Sequence, residues 1–137
     1  MSKESTICDF VGKVGQEATV SDFVGKVFTK IEGAKGDLSM QFLLGDGSFL
    51  QMDHLQICCE DVHVEDITGD LDDMVDTPIL YAEVSTNKDD TLGDCEVGLW
   101  TFYKFRTVKG NVDIRFHGST NSCYSIEVDI IKWELKS

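Results

Sequence analysis

A group of basic and aromatic side chains between residues 100 and 124 has the types and spacing to bind a small anion. Aromatic and cationic residues alternate there, and two polar residues follow: Trp100, Phe102, Lys104, Arg106, Arg115, His117, Asn121 and Tyr124. Aromatic rings stack on nucleobases, whereas arginine and lysine bind phosphate oxygens. The pattern therefore indicates a small nucleotide as a candidate ligand.

A predicted β-hairpin over residues 98–117 must position these side chains. A two-residue turn at Lys109-Gly110 sets its register, because the glycine supplies the positive φ that such turns need. The register places Lys104 opposite Arg115. Strand alternation puts Tyr103, Phe105, Val112, Ile114 and Phe116 on an apolar face, and the basic and aromatic residues with Asp113 on the other.

Two facing cations repel each other, so a negative group is expected between Lys104 and Arg115. Two sources of that charge stay open. One is a bound anion. The other is the protein itself, in which case Arg106 pairs with Asp113, Arg115 pairs with a carboxylate of residues 60–76, and the face has a structural role.

The acidic residues are concentrated in one part of the chain. The net charge is −13, and residues 53–96 contain fourteen acids and a single base, Lys88. Such a surface repels phosphates, so no direct binding of nucleic acid is expected. It suits a basic site on a partner protein, through an acidic face formed by Glu65, Asp66, Asp70, Asp72, Asp73 and Asp76. The alternative is a surface that only keeps the protein soluble.

Two histidines and two cysteines form a weak candidate for a zinc site, since imidazole and thiolate suit that metal: His54, Cys58, Cys59 and His63. Adjacent residues of a strand point to opposite faces, so both cysteines do not easily reach one ion. The same residues suggest a Cys–His nucleophile pair, but no motif of a cysteine protease surrounds them. We therefore predict a non-enzymatic protein with no metal and no cofactor.

Length and composition narrow the class of protein. A chain of 137 residues suffices for one domain with its own core. No segment has the length of a membrane helix, the N-terminus lacks the apolar core of a signal peptide, and five cysteines, an odd number, fit reduced thiols. These features predict a cytoplasmic protein without a membrane partner. Homo-oligomerisation stays open.

The apolar alternation predicts a mainly β fold, an antiparallel sheet or meander of about seven strands. Residues 22–137 are predicted to form a single β-rich domain. Residues 1–21 are predicted to be a lead-in segment, because the hexapeptide Asp-Phe-Val-Gly-Lys-Val at 9–14 occurs again at 22–27.

One short acidic helix is predicted over residues 67–76. Ile67, Leu71 and Met74 repeat at helical spacing, and Pro78 stops the pattern. Aspartates near its start would complement the helix dipole.

Several motifs in one order resemble a small family of hypothetical proteins of tailed bacteriophages and some bacteria. Its pattern reads His-x-Gln-Asp-Cys-Cys-Glu, Gly-Asp-Leu-Asp-Asp, Pro-Ile-Leu-x-Ala-Glu, Trp-Thr-Phe-Tyr-Lys, a Lys-Gly turn and Gly-x-Ser-Asn-Gly-Tyr-Tyr-Ser. The corresponding residues here are His54, Gln56, Cys58 to Glu60, Gly69 to Asp73, Pro78 to Leu80, Ala82, Glu83, Trp100 to Lys104, Lys109, Gly110, Gly118, Asn121, Tyr124 and Ser125. The resemblance covers roughly residues 22–129 and departs at Ile57 and at Ser122-Cys123.

The resemblance implies no activity, but it implies a phage or mobile-element setting, in the cytoplasm of a host cell. In that setting, small acidic proteins often act on host machinery or host defence. We therefore expect an interaction protein whose acidic face, within residues 53–96, binds and inhibits a basic site on a host protein, through nucleic-acid mimicry. The alternative is a sponge that binds a nucleotide-like host signal on the 100–124 face. A structural component of the virion is the third hypothesis.

Overall fold

Two antiparallel sheets make up the computed structural model, which describes residues 6–10, 13–54, 60–89, 96–120 and 126–135. The strands are β1 (Thr6–Phe10), β2 (Lys13–Ala18), β3 (Phe28–Glu32), β4 (Met40–Leu44), β5 (Phe49–Asp53), β6 (Asp61–Thr68), β7 (Tyr81–Asp89), β8 (Val97–Arg106), β9 (Asn111–Thr120) and β10 (Asp129–Leu135). Short 3-10 helices cover Val20–Phe23 and Leu71–Met74. The predicted mainly antiparallel β fold is confirmed.

The two sheets have the strand orders β1-β2-β10-β5-β4-β3 and β6-β9-β8-β7. There are more strands than the seven or so expected, because residues 6–18 add a hairpin and residues 61–68 are extended throughout. β2 pairs with β10 over its whole length, so residues 13–18 belong to the same sheet as 129–135. Among the described residues, no helix has the length and apolar character needed to cross a membrane.

The core lies between the sheets and centres on four phenylalanines. Phe23 contacts Phe42 and Phe105 with ring centroids 5.0 Å apart in each pair, and Phe28 packs beside them. Phe23 is fully buried and comes from the second copy of the repeated hexapeptide. That copy bends through a 3-10 helix, whereas the described residues of the first copy lie in β1 and β2. Tertiary packing thus gives two identical hexapeptides different backbones.

The predicted register of the β8–β9 hairpin is wrong by two residues. Lys104 faces Asp113 and Phe102 faces Arg115, so the two cations are not opposite each other. The connection is a loop over residues 107–110, in which Thr107 Oγ1 accepts hydrogen bonds from the backbone N–H groups of Lys109 (3.1 Å) and Gly110 (3.3 Å). This side-chain bonding stabilises the longer loop, and Gly110 has no positive φ.

The predicted acidic helix over residues 67–76 is present only as one 3-10 turn, Leu71–Met74. Ile67 and Thr68 belong to β6, and Gly69 follows with a φ of 96°. This left-handed residue ends the strand and reverses the chain before the turn. The apolar spacing that suggested a helix arises because Ile67, Leu71 and Met74 all pack on the core from different elements.

Candidate protein-interaction surface

The six described residues of the predicted anion site share one face of the second sheet, which we call the outer face. Trp100, Phe102, Lys104, Arg106, Arg115 and His117 point away from the core. The opposite face carries Tyr103, Phe105, Val112, Ile114 and Phe116, all buried as predicted. The assignment of side chains to the two faces is correct despite the wrong register, because a slip of two residues leaves side-chain alternation unchanged. Asn121 and Tyr124 lie outside the described residues.

Arg115 is held by the protein's own carboxylates. Its Nε atom donates to Glu65 at 2.8 Å, and its Nη2 atom lies 3.7 Å from the Asp66 carboxylate. A bulge in β6 between Val64 and Asp66 makes this possible, because it places two acidic residues beside one position of β9. The guanidinium also lies over the Trp100 ring, with 5.2 Å from Cζ to the centroid. The expected pairing of Arg115 with an acid of residues 60–76 is therefore present.

Lys104 and Arg106 also have acidic or aromatic neighbours. Lys104 stands between Asp113 of β9 and Glu83 of β7 in one cross-strand row. Arg106 lies over the Tyr81 ring at 5.3 Å, instead of forming the expected ion pair with Asp113. Tyr81 donates its hydroxyl to Glu83 at 2.6 Å, and that hydrogen bond raises the pKa of Tyr81. The outer face is thus a mixture of charges, not a basic surface.

Two histidines and their carboxylate partners lie at the end of the outer face where β7 ends and β8 begins. His117 Nε2 lies 2.8 Å from the Asp89 carboxylate, although β8 separates their two strands. Asp89 pairs with Gly98 of β8, a residue without a side chain. The His117 ring also packs on Trp100 at 4.3 Å between centroids. His63 lies beside it and contacts Asp61 at 3.2 Å.

The acidic face continues from β6 into the 3-10 turn, whose backbone is anchored at several points. Asp70 caps the turn by accepting from the Asp72 N–H at 3.0 Å. Thr107 Oγ1 donates to the Asp73 carbonyl at 2.7 Å, and Lys109 Nζ donates to the Val75 carbonyl at 2.8 Å. These bonds fix the acidic turn against the β8–β9 loop.

Asp76 ends this turn in a left-handed conformation with a φ of 62°. Its N–H donates to the Phe28 carbonyl of β3 at 2.8 Å, which holds the strained backbone. A non-glycine residue pays about 1 kcal/mol for this conformation, although aspartate tolerates it better than most. The anchored backbone directs Asp76 outwards as an exposed side chain.

The acidic face therefore has two parts that differ in their neutralisation. Glu65 and Asp66 share Arg115. In the part of the chain that the structure describes, no lysine or arginine forms an ion pair with Asp70, Asp72, Asp73 or Asp76. Asp70, Asp72 and Asp76 are exposed, and Asp73 is half-buried. These aspartates are the available negative charges.

The weak zinc candidate is not assembled by the described residues. His54 is buried, with Nε2 2.9 Å from the Glu60 carboxylate and Nδ1 2.7 Å from the Glu127 carbonyl, whereas His63 lies on the outer face. Cys58 and Cys59 lie outside the described residues. Within the described ranges, no three residues of ligand type are grouped to hold a metal ion.

The profile of a domain of unknown function, DUF7448, matches residues 21–130. The chain belongs to the DUF7448 family. The matched DUF7448 region contains the whole second sheet and the anchored acidic turn. A search of curated proteins and a search of solved structures found no match.

Sequence reasoning missed several residues of this DUF7448 surface. It did not assign Asp61, Glu83 or Asp89 to the outer face, and it did not pair the buried His54 with Glu60. Alternation alone identifies Glu83 and Asp89 as residues on one face of β7. The pairing of Asp89 with His117 depends on the strand order β9-β8-β7, which a single sequence does not give.

Proposed function

We propose that this protein is a non-enzymatic interaction protein whose acidic face binds and inhibits a basic site on a partner protein. The observation that carries the proposal is the set of Asp70, Asp72 and Asp76, exposed on an anchored turn without a cationic partner among the described residues. In the phage setting that the motifs suggest, the partner is a host protein in the host cytoplasm. Its basic site is one that normally holds nucleic acid.

Preorganisation favours this role. A flexible acidic loop loses conformational freedom on binding, which costs about 1 kcal/mol for each ordered side chain. Here the capping bond of Asp70, the Thr107 contact and the Asp76 backbone bond hold the turn in place before a partner arrives. Exposed charges in fixed positions also steer a basic partner and speed association.

The sponge for an anionic signal has less support. Its main cation, Arg115, is already bound by Glu65 and Asp66, and Lys104 has a carboxylate on each neighbouring strand. An anion at Arg115 must displace those carboxylates or tolerate them. Either choice weakens its binding, because like charges in contact repel.

Co-purification followed by native mass spectrometry tests the proposal. The tagged wild type is expected to carry a host protein at fixed stoichiometry, and the variant Asp70→Lys, Asp72→Lys, Asp73→Lys is expected to lose it. The matched control is Glu17→Lys, Glu32→Lys, Glu134→Lys, which changes the net charge equally at exposed positions of the first sheet. Retention of the partner by the Asp70, Asp72, Asp73 variant, or its equal loss from the control, contradicts the proposal.

A further inference from the structure

The outer edge of β7 is an open strand edge in the described structure. β7 runs nine residues, Tyr81–Asp89, and seven of them are exposed. One edge pairs with β8 in an uninterrupted register. Along the other edge, residues 81–88 make no backbone hydrogen bond to any described residue. Such an edge is a template for another strand.

Two other strand edges of the described structure, those of β6 and β3, are protected. At the edge of β6, Gly36 donates to the Val64 carbonyl at 2.8 Å and Val64 donates to the Asp37 carbonyl at 2.8 Å, next to the β6 bulge. At the edge of β3, Asp76 donates to the Phe28 carbonyl, and the strand has an irregular register after Phe28. Loops and bulges of this kind prevent edge pairing. The 3-10 helix Val20–Phe23 packs against β7, but the described strand has no bulge, and residues 81–88 make no backbone hydrogen bond to that helix.

Exposed apolar side chains accompany this open edge. Leu80 is 56% exposed, Val84 is 43% exposed and Tyr81 is 42% exposed. Val24, which is 46% exposed, precedes Gly25, whose N–H donates to the Ile79 carbonyl at 2.8 Å. Covering them with a partner strand removes apolar surface from water, which contributes about 25 cal/mol per Å².

We propose that β7 pairs antiparallel with β7 of a second copy of this chain, about a two-fold axis at Ser85. The sequence of the strand is self-complementary in this register. Glu83 lies opposite Asn87 of the partner subunit, and Tyr81 lies opposite Asp89 of the partner subunit. Lys88 lies opposite Ala82 of the partner subunit. No charge therefore faces a like charge, whereas a register centred on Thr86 places Glu83 opposite Asp89 of the partner subunit.

The strand order keeps the two acidic β6 strands apart in this pairing. β7 lies at one edge of the second sheet, and the acidic strand β6 lies at the other. In the joined sheet the two β6 strands are about 34 Å apart, at about 4.8 Å per strand. This separation is several Debye lengths at physiological salt, where the length is about 8 Å. Pairing of identical edges also closes the assembly as a dimer, because no open β7 edge remains.

Sedimentation velocity of the full chain at about 0.15 M salt and up to about 100 µM tests the proposal. The wild type is expected to form a dimer. Ser85→Asp and Ser85→Lys each place like charges on the two-fold axis, so each weakens the dimer by about tenfold or more. An equimolar mixture of the two variants is expected to recover a heterodimer. Val108→Asp and Val108→Lys are matched controls at an exposed loop position and leave the dimer unchanged.

A second pair of variants, at Asn87, is expected to change the stability of the dimer in opposite directions. This test does not depend on Ser85. Asn87→Lys faces Glu83 of the partner subunit and strengthens the dimer, whereas Asn87→Glu weakens it. Circular dichroism verifies that each variant is folded. A wild type that stays monomeric overturns the proposal, as does a dimer that none of the Ser85 and Asn87 variants alters. Neither result bears on the acidic face, because Ser85 and Asn87 are not among its residues.

Discussion

The Nε atom of Arg115 donates a hydrogen bond to the Glu65 carboxylate at 2.8 Å, and this bond joins β9 to the bulge of β6. Arg115, the cation best suited to an anionic ligand, therefore stabilises the fold and neutralises one end of the acidic face. The remaining aspartates of the turn keep their charge available for a partner.

Arg115→Ala is expected to destabilise the protein by about 1 kcal/mol, because it breaks a half-exposed ion pair and a contact with Trp100. It leaves partner binding intact or stronger, since the acidic face gains net negative charge. Urea denaturation and partner titration measure both effects. Arg106→Ala is the matched control, because Arg106 lies over Tyr81 and forms no ion pair with a carboxylate among the described residues. Loss of partner binding by Arg115→Ala contradicts this assignment.

Glu60→Ala is expected to destabilise the fold by about 3 kcal/mol, because it leaves the buried His54 without its carboxylate partner. Glu60→Gln is milder, since its amide group can hydrogen-bond His54 Nε2 in either tautomer of the ring. Asp61→Ala is the control: the Asp61–His63 pair has the same chemistry but is exposed, so its loss costs less than about 0.5 kcal/mol. Equal losses in urea denaturation for Glu60→Ala and Asp61→Ala are the result that excludes a buried pair.

Phe23→Ala is expected to cost about 4 kcal/mol, because it removes a fully buried ring that contacts Phe42 and Phe105. Val24→Ala, one residue further on and largely exposed, changes the free energy of unfolding by less than about 0.5 kcal/mol. Thermal or urea unfolding compares the two. A small effect of Phe23→Ala is incompatible with the second hexapeptide contributing to the core.

Asp129→Asn is expected to stabilise the protein at neutral pH. Burial raises the pKa of Asp129 and of Asp53, and the two residues lie opposite each other in the β10–β5 ladder. A carboxyl group whose pKa is raised in the folded state stabilises the fold to its full extent when the pH is below its ordinary pKa of 3.8. This stabilisation is lost as the pH rises through the pKa of the folded state. Asp129→Asn is therefore more stable than the wild type at pH 7, and the difference disappears as the pH falls below 3.8.

Asp46→Asn gives the opposite pH dependence and serves as the control. Hydrogen bonds from Ser48, the side-chain hydroxyl first, lower the pKa of Asp46. Its contribution to stability is present above pH 3.8 and is lost as the pH falls through the lowered folded pKa. Urea denaturation between neutral and acidic pH distinguishes the two variants. A destabilising Asp129→Asn at neutral pH contradicts the assigned sign.

The face assignments of the sheet were predictable, because alternation depends only on whether residue numbers are odd or even. Tyr103 and Phe105 are buried and Lys104 is outside in both the predicted and the observed register. The register itself was not predictable, because Thr107 selects a longer loop through side-chain bonds to the backbone. The helical spacing of Ile67 and Leu71 led to a wrong prediction of a helix, because one residue of a strand and one of a turn pack on the same core.

The affinity for the co-purified partner, measured as a function of salt concentration, tests the central claim most directly. The wild type and the control Glu17→Lys, Glu32→Lys, Glu134→Lys are titrated with that partner between about 0.05 and 0.5 M salt, beside Asp70→Lys, Asp72→Lys, Asp73→Lys. We expect steep weakening with salt for the first two and, at every salt concentration, at least about a hundredfold weaker binding for the last. Equal affinity of the Asp70, Asp72, Asp73 variant and the wild type would contradict a function through the acidic face.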